Sequence, residues 1–262
     1  MIKASNLSVR LAGKQVLHGV DIEAAAGQLT AIVGPNGSGK TTSLKAIAGE
    51  LPYDGTISIN GHDIATLKPW QLAVKRAVLP QSTVISFPFT VREIVRMGLS
   101  VGARAGADEA DRIAREALEA VDLSGFAGRF YRELSGGEQQ RVQLARALCQ
   151  IWDPLQDGEP AFLLLDEPVS SLDIRHQLTI MRLARNFCAR GGGVVAVMHD
   201  LNLTAMFADR MIMMKSGRVR AAGHPNEVMT DGVMEAVFGC AMRVNATPAG
   251  SVPFVLPHTA AG

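Results

Sequence analysis

Leu29-Thr30-Ala31-Ile32-Val33 runs directly into Gly34-Pro35-Asn36-Gly37-Ser38-Gly39-Lys40-Thr41-Thr42 and then into Ser43-Leu44-Lys45-Ala46-Ile47-Ala48. The opening run is short and largely apolar, as a buried parallel strand is, and the closing segment reads as a helix. Between them lies the G-x-x-x-x-G-K-T pattern of a phosphate-binding loop, in the strand-then-helix setting that the pattern needs. Its glycines let backbone N–H groups approach phosphate oxygens, and the start of the following helix favours negative charge. Lys40 can reach β and γ phosphates, and the Thr41 hydroxyl can bind Mg²⁺.

Further along, Phe162–Leu165 and Val194–Met198 are short apolar runs of the same kind, each ending at a polar residue. Open α/β sheets bind ligands beyond the carboxyl ends of such strands. Asp166 and Glu167, at the end of Phe-Leu-Leu-Leu-Asp-Glu-Pro, suit two tasks. Asp166 can hold magnesium through its water shell, and Glu167 can polarise an attacking water as general base. Residues 1–27 alternate loosely between apolar and polar, at Ile2, Ala4, Leu7 and Val9 and again at Val16, Val20 and Ile22, which predicts short strands of a half-exposed sheet, with another at Thr56–Asn60. Residues 88–150 are more helical: Asp108, Glu109 and Asp111 precede apolar Ile113, Ala117, Leu118 and Val121. The segment Val244–Gly262 holds Pro248, Pro253 and Pro257 and reads as an irregular tail with one short strand at Ser251–Leu256.

Leu134-Ser135-Gly136-Gly137-Glu138-Gln139-Gln140-Arg141 is the sharpest remaining feature. Ser135 and Glu138 have the spacing of a capping box, and Val142, Ala145 and Leu148 continue as an apolar stripe, so a helix is predicted to begin at Gly136. Two glycines leave that helix terminus accessible. It is a second anion-attracting helix start, and it cannot easily serve the nucleotide of its own chain.

Composition narrows the possibilities. Hydrophobic residues make up 47% and charged residues 19% of 262, the balance of an ordinary globular protein. A net charge of +1 provides no general basic field for nucleic acid. Cys149, Cys188 and Cys240 are odd in number and form no C-x-x-C pair, which argues against a disulfide framework or a zinc site. The expectation is a chain of the reducing cytosol. No stretch approaches the roughly 18 apolar residues of a spanning helix. The methionines at 198, 206, 211, 213 and 214 are expected to fill gaps in the core.

Taken in order, GPNGSGKT, Gln81, LSGGEQQR, FLLLDEP, Ser170-Ser171-Leu172-Asp173 and His199 resemble the ABC ATPase family over residues 1–240. The resemblance implies a P-loop NTPase (RecA-like) core with an antiparallel β subdomain and an inserted helical subdomain. The expected layout is a single α/β domain over 1–262, with the core at about 1–87 and 159–240, the helical part at about 88–158 and the tail at 241–262. It implies ATP with Mg²⁺, and a homodimer in which Ser135, Gly136, Gly137 and Glu138 of one copy face the γ-phosphate on the P-loop of the other. By the same resemblance Gln81 touches the metal and the attacking water, His199 contacts the γ-phosphate, and Asp173 works across the dimer interface. One departure is the lack of an aromatic residue to stack on adenine, where Ser8–Val16 offers only Leu11; another is Val169 in place of a threonine.

One motif set and no heptad tract set the chain apart from soluble ABC ATPases of DNA repair or translation. A free-standing ATPase of this kind implies membrane permease subunits and, indirectly, a periplasmic binding protein, with the chain on the cytoplasmic face of a bacterial inner membrane. Ser86–Gly98, SFPFTVREIVRMG, resembles the segment of ATPases that serve cobalamin, iron-siderophore and haem importers, and is the expected permease contact. Together with the long spacer Cys149–Phe162, it is similar to the haem-importer ATPases, with siderophore and cobalamin importers as the alternatives.

Overall fold

In the computed structural model, which describes residues 1–101, 106–247, 250–251 and 253–259, the chain opens with strands β1 (Ile2–Leu11), β2 (Lys14–Ala24) and β3 (Leu29–Val33) and helix α1 (Lys40–Ile47). Strands β4 (Asp54–Ile59) and β5 (His62–Asp63), helix α2 (Pro69–Lys75) and strand β6 (Arg76–Leu79) follow. Helices α3 (Val91–Met97), α4 (Ala107–Ala120) and α5 (Gly136–Gln150) lead to a small hairpin, β7 (Leu155–Gln156) and β8 (Glu159–Pro160). The remainder is β9 (Phe162–Asp166), α6 (Ile174–Ala189), β10 (Gly193–Val197), α7 (Leu201–Phe207), β11 (Arg210–Lys215), β12 (Arg218–Gly223), α8 (Pro225–Val228) and α9 (Asp231–Phe238).

The alternation at the N-terminus builds an antiparallel sheet in the order β2-β1-β4-β5. Ile2 and Ala4, and then Leu7 and Val9, are buried on β1 with a period of two; the step of three between the pairs falls where Asn6 takes φ +50° and the pairing with β2 shifts register. A larger sheet has the order β12-β11-β3-β10-β9-β6 and is parallel except for β12. β3, β9 and β10 are buried along their whole length, so both faces of this sheet are covered. Ile32, Leu164, Val195, Val197 and Ile212 pack with α1 and the antiparallel sheet. Ala31, Val33, Leu165, Ala196 and Met213, their alternate neighbours, pack with the helices of the other face in a single core.

The helical stretch joins that second core. Val91, Ile94 and Val95 of α3, Ile113, Ala117 and Leu118 of α4, and Val142, Leu144 and Leu148 of α5 are all buried in it. α3 and α5 approach closely at Gly98, where an added Cβ would stand 2.1 Å from the Arg146 carbonyl oxygen. The acidic residues expected to open a helix occupy the first turn of α4, at Asp108 and Glu109.

Strands β6, β11 and β12 are absent from the sequence reading, as are the two-residue strands β5, β7 and β8. β11 is Arg-Met-Ile-Met-Met-Lys, buried from Met211 to Met214, and its unbranched methionines give little strand signal. The expected strand at Ser251–Leu256 is a correction in the other direction. Pro253–Leu256 carries no strand, Phe254 and Val255 are exposed, and Val252 lies outside the described residues. With Pro253 unable to donate and no neighbouring strand to pair with, apolarity alone does not make a strand there. The long spacer is tied to the end of α2 and to the residue after β4: Lys75 donates to the Glu159 carboxylate at 2.6 Å, Asn60 Nδ2 donates to the Pro160 carbonyl at 2.9 Å, and the Met1 ammonium donates to Asn60 Oδ1 at 2.9 Å.

Candidate active site

Strand register brings the polar residues together. In the parallel sheet Leu79 pairs with Leu165, Asp166 with Val197, and Val197 with Ile32, so four strands end at one level. The residues just past those ends are Gln81, Glu167, His199 and the loop from Gly34 to Thr42. All of these except Gly34 and Pro35 line one cavity of about 770 Å³.

Sequence and close packing shape the loop. At Gly34 an added Cβ would stand 2.1 Å from the carbonyl oxygen of Met214, so any side chain would push β3 away from β11. Gly39 precedes α1 at φ +100°, a left-handed conformation that favours glycine. Lys40 is buried, and its ammonium donates to the carbonyls of Gly34 (2.9 Å) and Pro35 (3.1 Å). Burial lowers its pKa, opposed by the negative charges of Glu167 and Asp166. A phosphate would give this cation the counter-charge that two neutral carbonyls do not.

Thr41 Oγ1 donates to Asp166 Oδ1 at 3.0 Å. Asp166 is buried, its Oδ2 has no hydrogen-bond partner, and burial raises its pKa. A hard divalent cation suits such an oxygen pair. No group of three or more His, Cys, Asp or Glu among the described residues could hold a metal ion, so an ion here would share its coordination with phosphate and water.

Glu167 sits at φ +53°, in the left-handed region. Its N–H donates to the Val197 carbonyl (3.2 Å), and its own carbonyl accepts from Gln140 Nε2 (3.0 Å) and Ser170 Oγ (3.2 Å). Its carboxylate is bracketed: Gln81 Nε2 donates to Oε2 at 2.9 Å, and His199 Nε2 lies 2.5 Å from Oε1. A carboxylate, an amide and an imidazole thus meet above the phosphate loop.

Ser135 caps α5 as expected, accepting from Glu138 N–H while its own N–H donates to the Glu138 carboxylate at 2.7 Å. None of Ser135, Gly136, Gly137 and Glu138 lines the cavity. Gly136 faces open space, and Gly137 lies against Leu172 and the Ser171 carbonyl. Asp173 caps α6 and is exposed, and the backbone N–H of His176 holds its carboxyl below the usual carboxylate range. The structure therefore groups Gln81, Asp166, Glu167 and His199 with the loop, and leaves the second helix terminus and Asp173 outside.

Sequence reasoning gave no site role to Val16, Gln177 and Asp200 in the cavity wall, and quoted Ser170, also in the wall, and Gln140, behind Glu167, only as members of motifs. Gln140 lies one helical turn after Gly136, inside the Leu134–Arg141 stretch already singled out, and that position is its signal. Among the lining residues Val16 replaces the Leu11 of the sequence reading; Leu11 is at the edge of β1 and does not reach the cavity.

Comparison with known proteins places the chain in a family. A family model described as ABC transporter matches residues 17–170, more than half of the chain. The hemin import ATP-binding protein HmuV of Rhizobium meliloti (strain 1021) is 72% identical over 262 residues, with 99% of each chain covered. The protein of the same name from Rhizobium etli is 66% identical over 260 residues, covering 99% of this chain and 98% of that one. Among solved structures, the dimeric bacterial ABC transporter cassette MJ0796 superposes with a TM-score of 0.76 at 30% identity, covering 86% of this chain and 99% of that one. The same cassette in a post-hydrolysis state bound to ADP and Pi gives 0.76 at 29% identity over the same shares.

Proposed function

The chain belongs to the ABC transporter family, and on that premise we propose that it is the ATP-hydrolysing motor subunit of a bacterial haem importer. The observation that carries the motor reading is the bracketing of the Glu167 carboxylate by Gln81 and His199 above Lys40 and Thr41. In this reading Lys40 exchanges its two carbonyl partners for β and γ phosphate oxygens, with backbone N–H groups of residues 36–42 around them. A water between Gln81 and Glu167 is oriented by the amide and gives its proton to the carboxylate as its oxygen attacks the γ-phosphorus; the bridging oxygen leaves with ADP. His199 steadies the carboxylate and hydrogen-bonds the γ-phosphate. Bound Mg²⁺ supplies charge neutralisation across the phosphates, and Thr41 and Asp166, with its unpartnered buried oxygen, suit it.

Ser135, Gly136, Gly137 and Glu138 complete the site of a second copy, and Asp173 works at the same interface. Support comes from their position outside the cavity of their own chain and from the dimeric form of the MJ0796 cassette. The permease surface is assigned to Ser86–Gly98 and its surroundings, where Val84, Phe87 and Phe130 are exposed and the Phe87 and Phe89 rings lie 6.0 Å apart. No described helix is long and apolar enough to cross a membrane. In this reading the subunit works at the cytoplasmic face, bound to its permease.

The cargo assignment rests on the likeness to the hemin import proteins. Purified complex in liposomes, with Mg²⁺ and ATP inside, should accumulate haem only when the matching periplasmic binding protein is outside. Uptake of cobalamin or a ferric siderophore without haem would overturn the cargo and leave the motor.

A further inference from the structure

Away from the nucleotide cavity, a second hollow of about 510 Å³ opens where the ends of α4 and α5, the start of the long spacer and the side of α6 meet. Its volume falls within the range of small-molecule sites. Leu148, Trp152, Leu183 and Phe187 form apolar walls, and Arg182 and Arg190 supply positive charge. No acidic side chain lines it. Arg190 donates to the Trp152 backbone carbonyl at 3.1 Å, which ties the spacer to the end of α6. Arg182 is exposed and makes no ion pair among the described residues. An indole and a phenyl ring beside two guanidinium groups suit a flat apolar body that carries carboxylates.

We propose that this hollow binds a planar aromatic molecule bearing carboxylate groups, the chemistry of the tetrapyrrole the motor is assigned to deliver. The identity of the ligand therefore rests on the cargo reading, whereas the cavity and its charge do not. α6, which forms one wall, begins at Asp173, so a ligand here lies against the same helix that starts at the proposed dimer interface.

The chain has only two tryptophans, Trp70 and Trp152, so the full-length Trp70→Phe protein reports on Trp152 alone. Haemin titrated into it should quench the emission saturably. Arg182→Glu, which breaks no contact, and Ala120→Phe, which fills the hollow, should each weaken that binding at least about tenfold while ATP affinity is unchanged. Haemin dimethyl ester, lacking the carboxylates, should bind comparably weakly. Quenching that does not saturate, or that is the same for the parent, both variants and the ester, would overturn the site. Haem transport by the reconstituted complex is read separately: uptake without saturable quenching removes this site and leaves the importer. Saturable quenching by haemin in a complex that carries another cargo supports the carboxylate site and overturns only its link to delivery.

Discussion

Glu167 holds a backbone conformation that costs a non-glycine residue on the order of 1–3 kcal/mol, and it is fixed there by bonds from Gln140 and Ser170 and to Val197. Such strain aims its carboxylate between Gln81 and His199. Glu167→Gln keeps the shape and removes the base, so ATP affinity should be retained while hydrolysis slows about 10²- to 10⁴-fold. Turnover near the parent rate would remove Glu167 from its role. Lys40→Ala deletes the buried cation facing the phosphates, and calorimetry should show a weaker affinity for ATP; an unchanged affinity would count against the loop as the phosphate site. These residues differ in how far the sequence reveals them. Lys40, Thr41 and Glu167 follow from local chemistry, because a loop pattern and a strand-end acidic pair carry meaning on their own. Gln81 and His199 follow only from their order in the set, since a lone glutamine in a loop or a histidine at a strand end has no distinctive environment until neighbouring strands are in register. Val16 and Gln140 become visible only when the chain is folded.

Helix starts are the elements most legible in this sequence. Ser135/Glu138 and Thr90/Glu93 form capping boxes at the starts of α5 and α3, because each serine or threonine can satisfy a free N–H three residues on and each glutamate can return the bond. Strands were legible where β-branched and leucine residues run together, as in β3, β9 and β10, and illegible in β11, whose methionines carry burial without strand propensity. The boxes also set a pH dependence. The hydroxyl and N–H of Ser135 hold the Glu138 carboxyl below the usual range, and the N–H and hydroxyl of Thr90 do the same for Glu93. A folded value below the unfolded one means that the stabilisation is whole above the ordinary glutamate range and is lost as pH falls through the depressed folded values. Thr90→Ala and Ser135→Ala should each lower the unfolding free energy at neutral pH by about 0.5–2 kcal/mol, and their deficit from the parent should narrow in acid. Urea unfolding across that pH range measures it; a deficit that stays constant into acid would exclude the glutamates from the effect.

At the scale of the whole molecule, the arrangement is incomplete in a specific way. One cavity holds residues 36–42 of the phosphate loop, Glu167, Gln81 and His199, while the capped terminus at Ser135–Gly137 lies outside it, with Gly136 open to its surroundings. A helix start of this kind attracts anions, and in a single copy it has no phosphate to meet. Two copies placed head to tail would give each phosphate loop the terminus of its partner. Ser135→Arg should then block hydrolysis while each subunit still binds ATP, because the loop of that subunit is untouched. Lys40→Ala subunits are inactive for the opposite reason, with an intact terminus and a disabled loop. A mixed dimer of the two contains one site built from the intact loop of the first and the intact terminus of the second, and a second site with both halves disabled. Mixing the inactive parents should therefore restore partial ATPase activity, and occlusion of labelled ATP should approach one nucleotide per mixed dimer. Activity can fail for a separate reason if both sites must fire together, and for that case occlusion decides. Mixed dimers that form, remain inactive and occlude no ATP would mean that each chain completes its own site, and the exposed helix start would then be no more than a capped terminus.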